Sequence, residues 1–126
     1  MRAQRTEGTA PELRLRSELH RLGLRYRVHF ATPFDRRRKI DIAFPARRIA
    51  VFVDGCFWHS CPQHVVVPTS NRDFWIEKLA RNRERDLDTN RRLIELGWEV
   101  IRVWEHEDPT DAAARIKAIV DLRRIA

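Results

Sequence analysis

The most constraining feature of this sequence is a run of five apolar residues, Ile49–Val53, that leads directly into a segment rich in reactive side chains. A continuous apolar run of this length is typical of a central strand that is buried on both faces of a sheet. Such a strand needs other strands beside it and a covering layer on each face. The segment that follows, residues 53–64, contains both cysteines and two of the five histidines of the chain. We therefore expect the chemistry to lie at the end of this strand.

The remaining patterns predict an α/β fold. Thr9, Pro11 and Glu12 form a helix-start signature, with Thr9 as the cap. Helices are predicted at residues 11–22, from residue 71 or 73 to about 96, and from 109 onward, and further strands at 26–30, 40–44 and 98–104. The order helix, three strands, helix, strand, helix fits a mixed sheet with helices on both sides.

Apolar periodicity indicates which side of each later helix faces the core. In the long helix the predicted apolar stripe consists of Ile76, Ala80, Leu87 and Ile94. In the last helix the predicted core residues are Ala112, Ile116, Ile119 and either Leu122 or Val120.

Composition favours a single domain with a polyanionic partner. The 126 residues predict one domain at 9–126, preceded by a polar arm at 1–8. The net charge of +7 comes mostly from arginine, whose planar guanidinium suits phosphate oxygens. A basic surface can also serve solubility alone, and the basic run 36–39 can be merely solvated.

No apolar run approaches the roughly 20 residues of a membrane span, and no secretory signal begins the chain, so we expect a cytoplasmic location.

Two aspartates are candidates for binding a hard cation. Asp41 interrupts a predicted strand, and Asp54 ends the neighbouring one. Carboxylates on adjacent strands can bind Mg²⁺, which retains waters and a substrate phosphate. Asp41 can alternatively pair with a nearby arginine. Glu12 is either a helix cap or an acid presented to the site from the first helical turn.

His59 is the candidate base. Phosphodiester hydrolysis needs a positioned water and a proton acceptor that works near neutrality, and the unperturbed pKa of histidine, about 6.5, suits that task. His59 can alternatively be a zinc ligand, since it lies between the two cysteines.

Several blocks resemble the very-short-patch repair (Vsr) endonuclease family. They are Gly55-Cys-Phe-Trp-His59, Phe74-Trp-Ile-Glu-Lys78, Asn82-Arg-Glu-Arg-Asp86, Leu96-Gly-Trp98 and Val103-Trp-Glu105. The resemblance covers nearly the whole chain. It implies a restriction-endonuclease-like fold of the PD-(D/E)XK type and a Mg²⁺-dependent nick 5′ to the thymine of a T:G mismatch, which initiates very-short-patch repair. It also implies a monomer acting on double-stranded DNA in the bacterial cytoplasm, associated with the nucleoid.

The resemblance assigns roles to the catalytic candidates. Asp41 matches the Mg²⁺-binding aspartate, and Val53 matches a position whose backbone carbonyl helps to bind the metal. His59 matches the histidine that activates water, and Glu12 matches an assisting acid. Asp54 departs from the pattern, because the best-known members have a histidine there; we retain it as a catalytic candidate, either as a ligand or as a spectator.

A structural zinc site is the second metal prediction. Cys56, Cys61 and His64 are spaced as three zinc ligands, and His106 matches the distant ligand of the family, which is often a cysteine. The alternative is two free, buried thiols.

The DNA-binding prediction rests on aromatic and basic residues. Phe57 and Trp58 match residues that wedge into the duplex beside the mismatch, although single aromatic residues more often belong to a core. Met1–Ala3 matches the inner end of the family's arm and the outer part is missing from this sequence, so we expect either a weaker grip on DNA or a misassigned start site. The other predicted DNA-binding residues are Trp75, Lys78, Arg36, Arg37, Arg38 and Lys39.

Two other functions fit the same residues. One is a zinc-stabilised DNA-binding module that has lost catalysis, and the other is a nuclease of the same fold that acts in restriction or phage defence.

Overall fold

The computed structural model describes residues 9–55 and 67–123. Its helices are α1 (Ala10–Arg21), α2 (Arg72–Glu95) and α3 (Pro109–Leu122). Its strands are β1 (Arg27–Ala31), β2 (Lys39–Phe44), β3 (Ile49–Asp54) and β4 (Glu99–Trp104), with a short 3-10 helix at Pro45–Arg47. The predicted order of elements is confirmed within these residues, and each strand begins or ends within about one residue of its predicted limits.

The four strands form one mixed sheet in the order β1-β2-β3-β4. The β1–β2 and β2–β3 pairs are antiparallel, whereas β3 and β4 are parallel. The parallel pair requires a crossover, and α2 lies within that connection. The predicted central strand is confirmed, because Ile49, Ala50 and Val51 of β3 are completely buried.

Helices cover both faces of the sheet. On one face, which we call the α1/α3 face, Leu15 and Leu19 of α1 and Ile116 of α3 pack against Val51 and Val103. On the other, the α2 face, the core cluster consists of Ile40, Ala43, Ala50, Phe52, Leu93 and Trp98. The end of β3 therefore emerges between two packed layers, which hold it in place.

Both α1 and α2 end as the sequence indicates. Gly23 and Gly97 follow the two helices with φ of 84° and 88°, a left-handed conformation that glycine adopts without strain. The amide of Trp98 then donates to the carbonyl of Leu93 at 2.9 Å, and β4 begins at the next residue. At the start of α1 the prediction was partly wrong: Thr9 occupies the cap position, but its side chain makes no capping hydrogen bond within the described part of the chain.

The predicted apolar stripe of α2 was wrong. Ile76, Leu87 and Ile94 are 46%, 61% and 59% exposed, while Leu79, Thr89 and Leu93 are buried. The side of α2 that faces the sheet contains polar residues because these bind arginines from elsewhere in the chain: Thr89 accepts from Arg38 at 3.0 Å. In α3 the alternative is decided for Val120, which is buried, whereas Leu122 is 84% exposed.

Candidate active site at the end of the central strand

Asp41 lies where β2 departs from a regular strand. Side chains alternate between the two faces of a strand, yet Ile40 packs on the α2 face while Ile42 packs on the α1/α3 face. Two residues that should share a face are thus separated by a local break at Asp41. The pairing of β2 with β3 is regular from Phe44 to Ile42. The carboxylate therefore lies beside the end of β3.

The Asp41 carboxylate binds the backbone of that strand. Its Oδ2 accepts a hydrogen bond of 2.7 Å from the Val53 amide. Burial raises the pKa of Asp41 from 3.8 to about 7, against the effect of the Val53 hydrogen bond, which lowers it; the nearby charges of Glu12 and Asp54 raise the pKa further, and Arg102 lowers it. Near pH 7 this carboxyl group therefore ionises at an energetic cost that a bound cation would offset.

Glu12 is brought to the same region by the first turn of α1. Its side chain is 1% exposed and forms an ion pair with Arg16. Its Oε2 also lies 3.2 Å from Nε2 of His29 in β1. The charge of Glu12 is close enough to raise the pKa of Asp41, so the two carboxylates are neighbours; the role of Glu12 as an assisting acid stays a prediction.

Asp54 is buried on the other side of the sheet end. The residue is 5% exposed, and its Oδ1 accepts from Nη1 of Arg102 at 3.0 Å. The guanidinium of Arg102 lies over the ring of Phe52, 4.0 Å from the centroid, and donates to Asn90 of α2 at 2.8 and 3.0 Å. Asp54 thereby joins the end of β3 to α2 through Arg102. Its predicted role in catalysis stays a prediction.

The oxygen atoms around Asp41 fit a hard divalent cation. Within a strand, the N–H and C=O of one residue point toward the same neighbour, so the Val53 carbonyl lies on the side of β3 where its amide meets Asp41. No three His, Cys, Asp or Glu side chains in residues 9–55 and 67–123 are close enough together to hold a metal ion. A cation bound here by described residues would therefore rely on one carboxylate, a backbone carbonyl, waters and substrate oxygens, a ligand set that Mg²⁺ accepts.

The remaining metal and wedge candidates fall largely outside the described residues. His59, Cys56, Cys61, His64, Phe57 and Trp58 all do so. His106 lies in the exposed turn after β4. The amide of Glu105 donates to the carbonyl of Asp54 at 2.9 Å, so the residues that precede His106 and Cys56 are neighbours in space.

The predicted DNA-binding residues occupy two surfaces. Trp75 and Lys78 lie near the start of α2, where the ring of Trp75 is 5.2 Å from that of Phe74. In the loop between β1 and β2, Arg36 and Arg37 are exposed, and Lys39 begins β2. Arg38 instead donates to Asp88 of α2 at 2.7 Å. Three of the four basic residues in this run are thus exposed, and Arg38 holds the loop to the helix.

Sequence reasoning missed three residues at the site: Arg16, His29 and Arg102. The β1–β2 pairs flank His29 and Asp41, which lie at the same level of the two strands, but this register becomes known only from the structure. Nothing local indicates Arg16 or Arg102, since each acquires its role from partners on other elements.

The chain is similar to known DNA-cleaving proteins. The sequence model of the family described as DNA mismatch endonuclease Vsr matches residues 1–64. The type II nicking enzyme V.NaeI of Lentzea aerocolonigenes is 51% identical over 123 residues, which cover 96% of this chain and 72% of that protein. The type II nicking enzyme V.XorIIP of Xanthomonas oryzae pv. oryzae is 39% identical over 124 residues, covering 96% and 89%. The DNA mismatch endonuclease Vsr of Escherichia coli K12 is 42% identical over 106 residues, covering 83% and 66%.

Proposed function

We propose that this chain, which belongs to the Vsr family of DNA endonucleases, nicks one strand of duplex DNA 5′ to the thymine of a T:G mismatch in a Mg²⁺-dependent reaction that begins very-short-patch repair. Relatives named as nicking enzymes and as a mismatch endonuclease support this reaction. The mixed sheet covered by helices supports a restriction-endonuclease-like core.

The observation that carries the proposal is the placement of the Asp41 carboxylate against the end of β3. Asp41 and the Val53 carbonyl would hold Mg²⁺, which neutralises phosphate charge and favours ionisation of a bound water. Glu12 adds a second negative charge beside this position. The raised pKa of Asp41 supports its role as a metal ligand, because burial destabilises the ionised carboxylate until a cation binds.

His59 would act as the base. It accepts a proton from the attacking water as the water oxygen forms a bond to phosphorus, and the bond between phosphorus and the leaving oxygen breaks. His59 follows Asp54, the last residue of β3, by five residues in the sequence, and this short separation supports a role at the same site. Proton transfer by a positioned side chain contributes about 10²- to 10⁴-fold to a rate.

Selectivity for the mismatch would come from Phe57 and Trp58. Inserting an aromatic wedge between base steps costs a few kcal/mol of unstacking, and the cost is least where pairing is already weak. A structural zinc ion held by Cys56, Cys61, His64 and His106 would attach the wedge segment to the end of β4.

The test compares single-turnover nicking of labelled duplexes with a T:G, U:G or G:G mismatch and of a fully paired control. The wild-type chain is expected to nick the thymine strand of the T:G duplex fastest, and only with Mg²⁺. Asp41→Asn and His59→Ala are expected to lower the rate by about 10²-fold or more, while fluorescence anisotropy shows that DNA binding persists.

His20→Asn is the matched control, because His20 lies exposed on α1 and far along the helix from Glu12. Cleavage of paired DNA as fast as T:G DNA would overturn the mismatch reading. Binding without cleavage in any metal would instead identify a DNA-binding module.

A further inference from the structure

The backbone of His29 is unusual for a residue inside a strand. Its φ is 50°, in the left-handed region that non-glycine residues seldom adopt. Among the described residues, the other non-glycine positions with positive φ are Arg48, which ends the 3-10 helix, and Asn71, which precedes α2. Those two positions lie at turns, where reversal of the chain accounts for the conformation. His29 has no turn to account for it, and such conformations persist where the surrounding structure requires them.

The irregularity coincides with the one at Asp41. Val28 pairs with Ile42 and Phe30 pairs with Ile40, so His29 and Asp41 occupy the level between these pairs. Tyr26, which immediately precedes β1, packs on the α1/α3 face, whereas Phe30 packs on the α2 face; a regular strand extended back to Tyr26 would place them on the same side. Both strands therefore change face at the same level, where each directs a titratable side chain toward the site.

The His29 side chain contacts α1 at Glu12, the catalytic candidate on that helix. Its Nε2 lies 3.2 Å from Oε2 of Glu12 and 3.2 Å from Nη2 of Arg16. The imidazole has a partner in either protonation state: bare Nε2 accepts from Arg16, and protonated Nε2 donates to Glu12. Glu12 is thereby held from its own helix by Arg16 and from the sheet by His29.

Arg16, the partner of Glu12, has a second hydrogen-bond donor. Nε of Arg16 is buried and has no hydrogen-bond partner within the described residues. A buried donor left in this state costs about 1–3 kcal/mol, a cost that a water or a substrate oxygen at this position would remove. The side chains of Arg16 and His29 are 18% and 24% exposed and that of Glu12 is 2% exposed, so the group lies at the edge of the core.

We infer that His29 is a positioning residue of the nuclease: its left-handed backbone directs the imidazole onto Glu12 and holds that carboxylate in its orientation toward Asp41. The inference rests on the proposed function, because it concerns the same site. His29 acts through Glu12, so it is a positioning residue and not a catalytic one.

The test exploits two amide substitutions. Asparagine tolerates the left-handed conformation but is too short to reach Glu12, whereas glutamine is long enough to donate to it. His29→Asn is expected to lower the single-turnover nicking rate at saturating enzyme by about 10- to 100-fold, the scale of a misplaced catalytic group, with its thermal midpoint within about 2 °C of wild type. His29→Gln is expected to retain more of the rate than His29→Asn. His20→Asn, on the exposed part of α1, should leave the rate within about twofold of wild type.

A double-mutant cycle separates positioning from general structural support. In a Glu12→Gln background, adding His29→Asn should change the rate by less than about twofold, because the residue through which His29 acts is already altered. Equal rates for wild type and His29→Asn would overturn the inference while leaving the proposed function intact. An undiminished His29→Asn effect in the Glu12→Gln background, or an effect that follows a fall in the thermal midpoint, would also overturn it. Absence of nicking by the wild-type chain on every duplex would overturn both.

Discussion

Asp41 lies within β2 and Asp54 ends the neighbouring strand β3, yet their carboxylates have different surroundings. Asp54 faces Arg102, a cation held in place by Asn90 and by the ring of Phe52. Asp41 accepts a hydrogen bond from the Val53 amide and lies near the like charges of Glu12 and Asp54. At the scale of residues, one carboxylate is therefore paired with a cationic side chain of the protein, and the other is bound by a backbone amide.

The raised pKa of Asp41 makes a prediction about stability. Its pKa is about 7 in the folded chain and 3.8 in the unfolded one, so the stability that the protonated Asp41 contributes is complete below about pH 4 and is lost as the pH rises to about 7. At about 1.4 kcal/mol for each pH unit, the loss can reach about 4 kcal/mol. In the presence of a chelator, Asp41→Asn should therefore be more stable than wild type at pH 7.5, and the difference should disappear near pH 4.

Urea unfolding of both proteins across this pH range measures the effect. Taking the difference between the two proteins cancels the titration of all other groups. A difference that stays constant from pH 4 to pH 7.5 would contradict the assignment of Asp41 as the destabilised group.

Among the elements, α2 has the least expected orientation. Apolar residues placed at helical spacing lie on its exposed side, while its sheet-facing side holds Arg38 through Asp88 and Thr89 and holds Arg102 through Asn90. A helix that binds the sheet through arginines needs few buried apolar side chains. The exposed apolar side chains, with the basic residues between them, remain on the outer surface of the domain.

Two adjacent leucine and isoleucine positions test this orientation. Leu93 is completely buried and Ile94 is 59% exposed. Leu93→Ala should lower the free energy of unfolding by about 2–5 kcal/mol because it opens a cavity in the core. Ile94→Ala should change it by no more than about 0.5 kcal/mol. Urea denaturation of the two variants provides the comparison, and equal losses would mean that α2 is rotated from its position here.

For the whole molecule, the sheet brings three sequence-distant segments to one end. Glu12 arrives from α1, Asp41 from β2 and Asp54 from β3, and the carbonyl of Asp54 accepts from the amide of Glu105, which follows β4. Within the described residues no helix is long and apolar enough to span a membrane. The proposed zinc site would connect two of these segments, since its ligands follow β3 and β4.

Metal analysis tests that connection. The purified chain should contain about one zinc ion, and Cys61→Ser should lower both the zinc content and the free energy of unfolding, since binding of a structural metal contributes directly to folding. His106→Ala should have the same effect if the distant ligand is assigned correctly. Ser60→Ala, at a neighbouring position without a ligand role, is the control. Full retention of zinc by Cys61→Ser would refute the ligand set.

The sequence alone determined the elements and their order, because those depend on local patterns. The apolar run Ile49–Val53 predicts a buried central strand wherever it is placed. Gly23 and Gly97 end their helices because the required backbone conformation belongs to the residue itself. Asp41 could be identified as chemically important for the same kind of reason: a carboxylate within an apolar strand is costly unless something binds it.

Only the tertiary structure decided which side chains meet. The side of α2 that faces the sheet could not be predicted from periodicity, because its polar residues bind Arg38 and Arg102. Arg38 lies 50 residues before its partner Asp88, and Arg102 lies 12 residues after its partner Asn90. His29 acquires a role only when β1 pairs with β2 and α1 packs above them. Hydrogen bonds and charge pairs between distant segments leave no periodic trace in a sequence, and at this site such contacts position every described carboxylate.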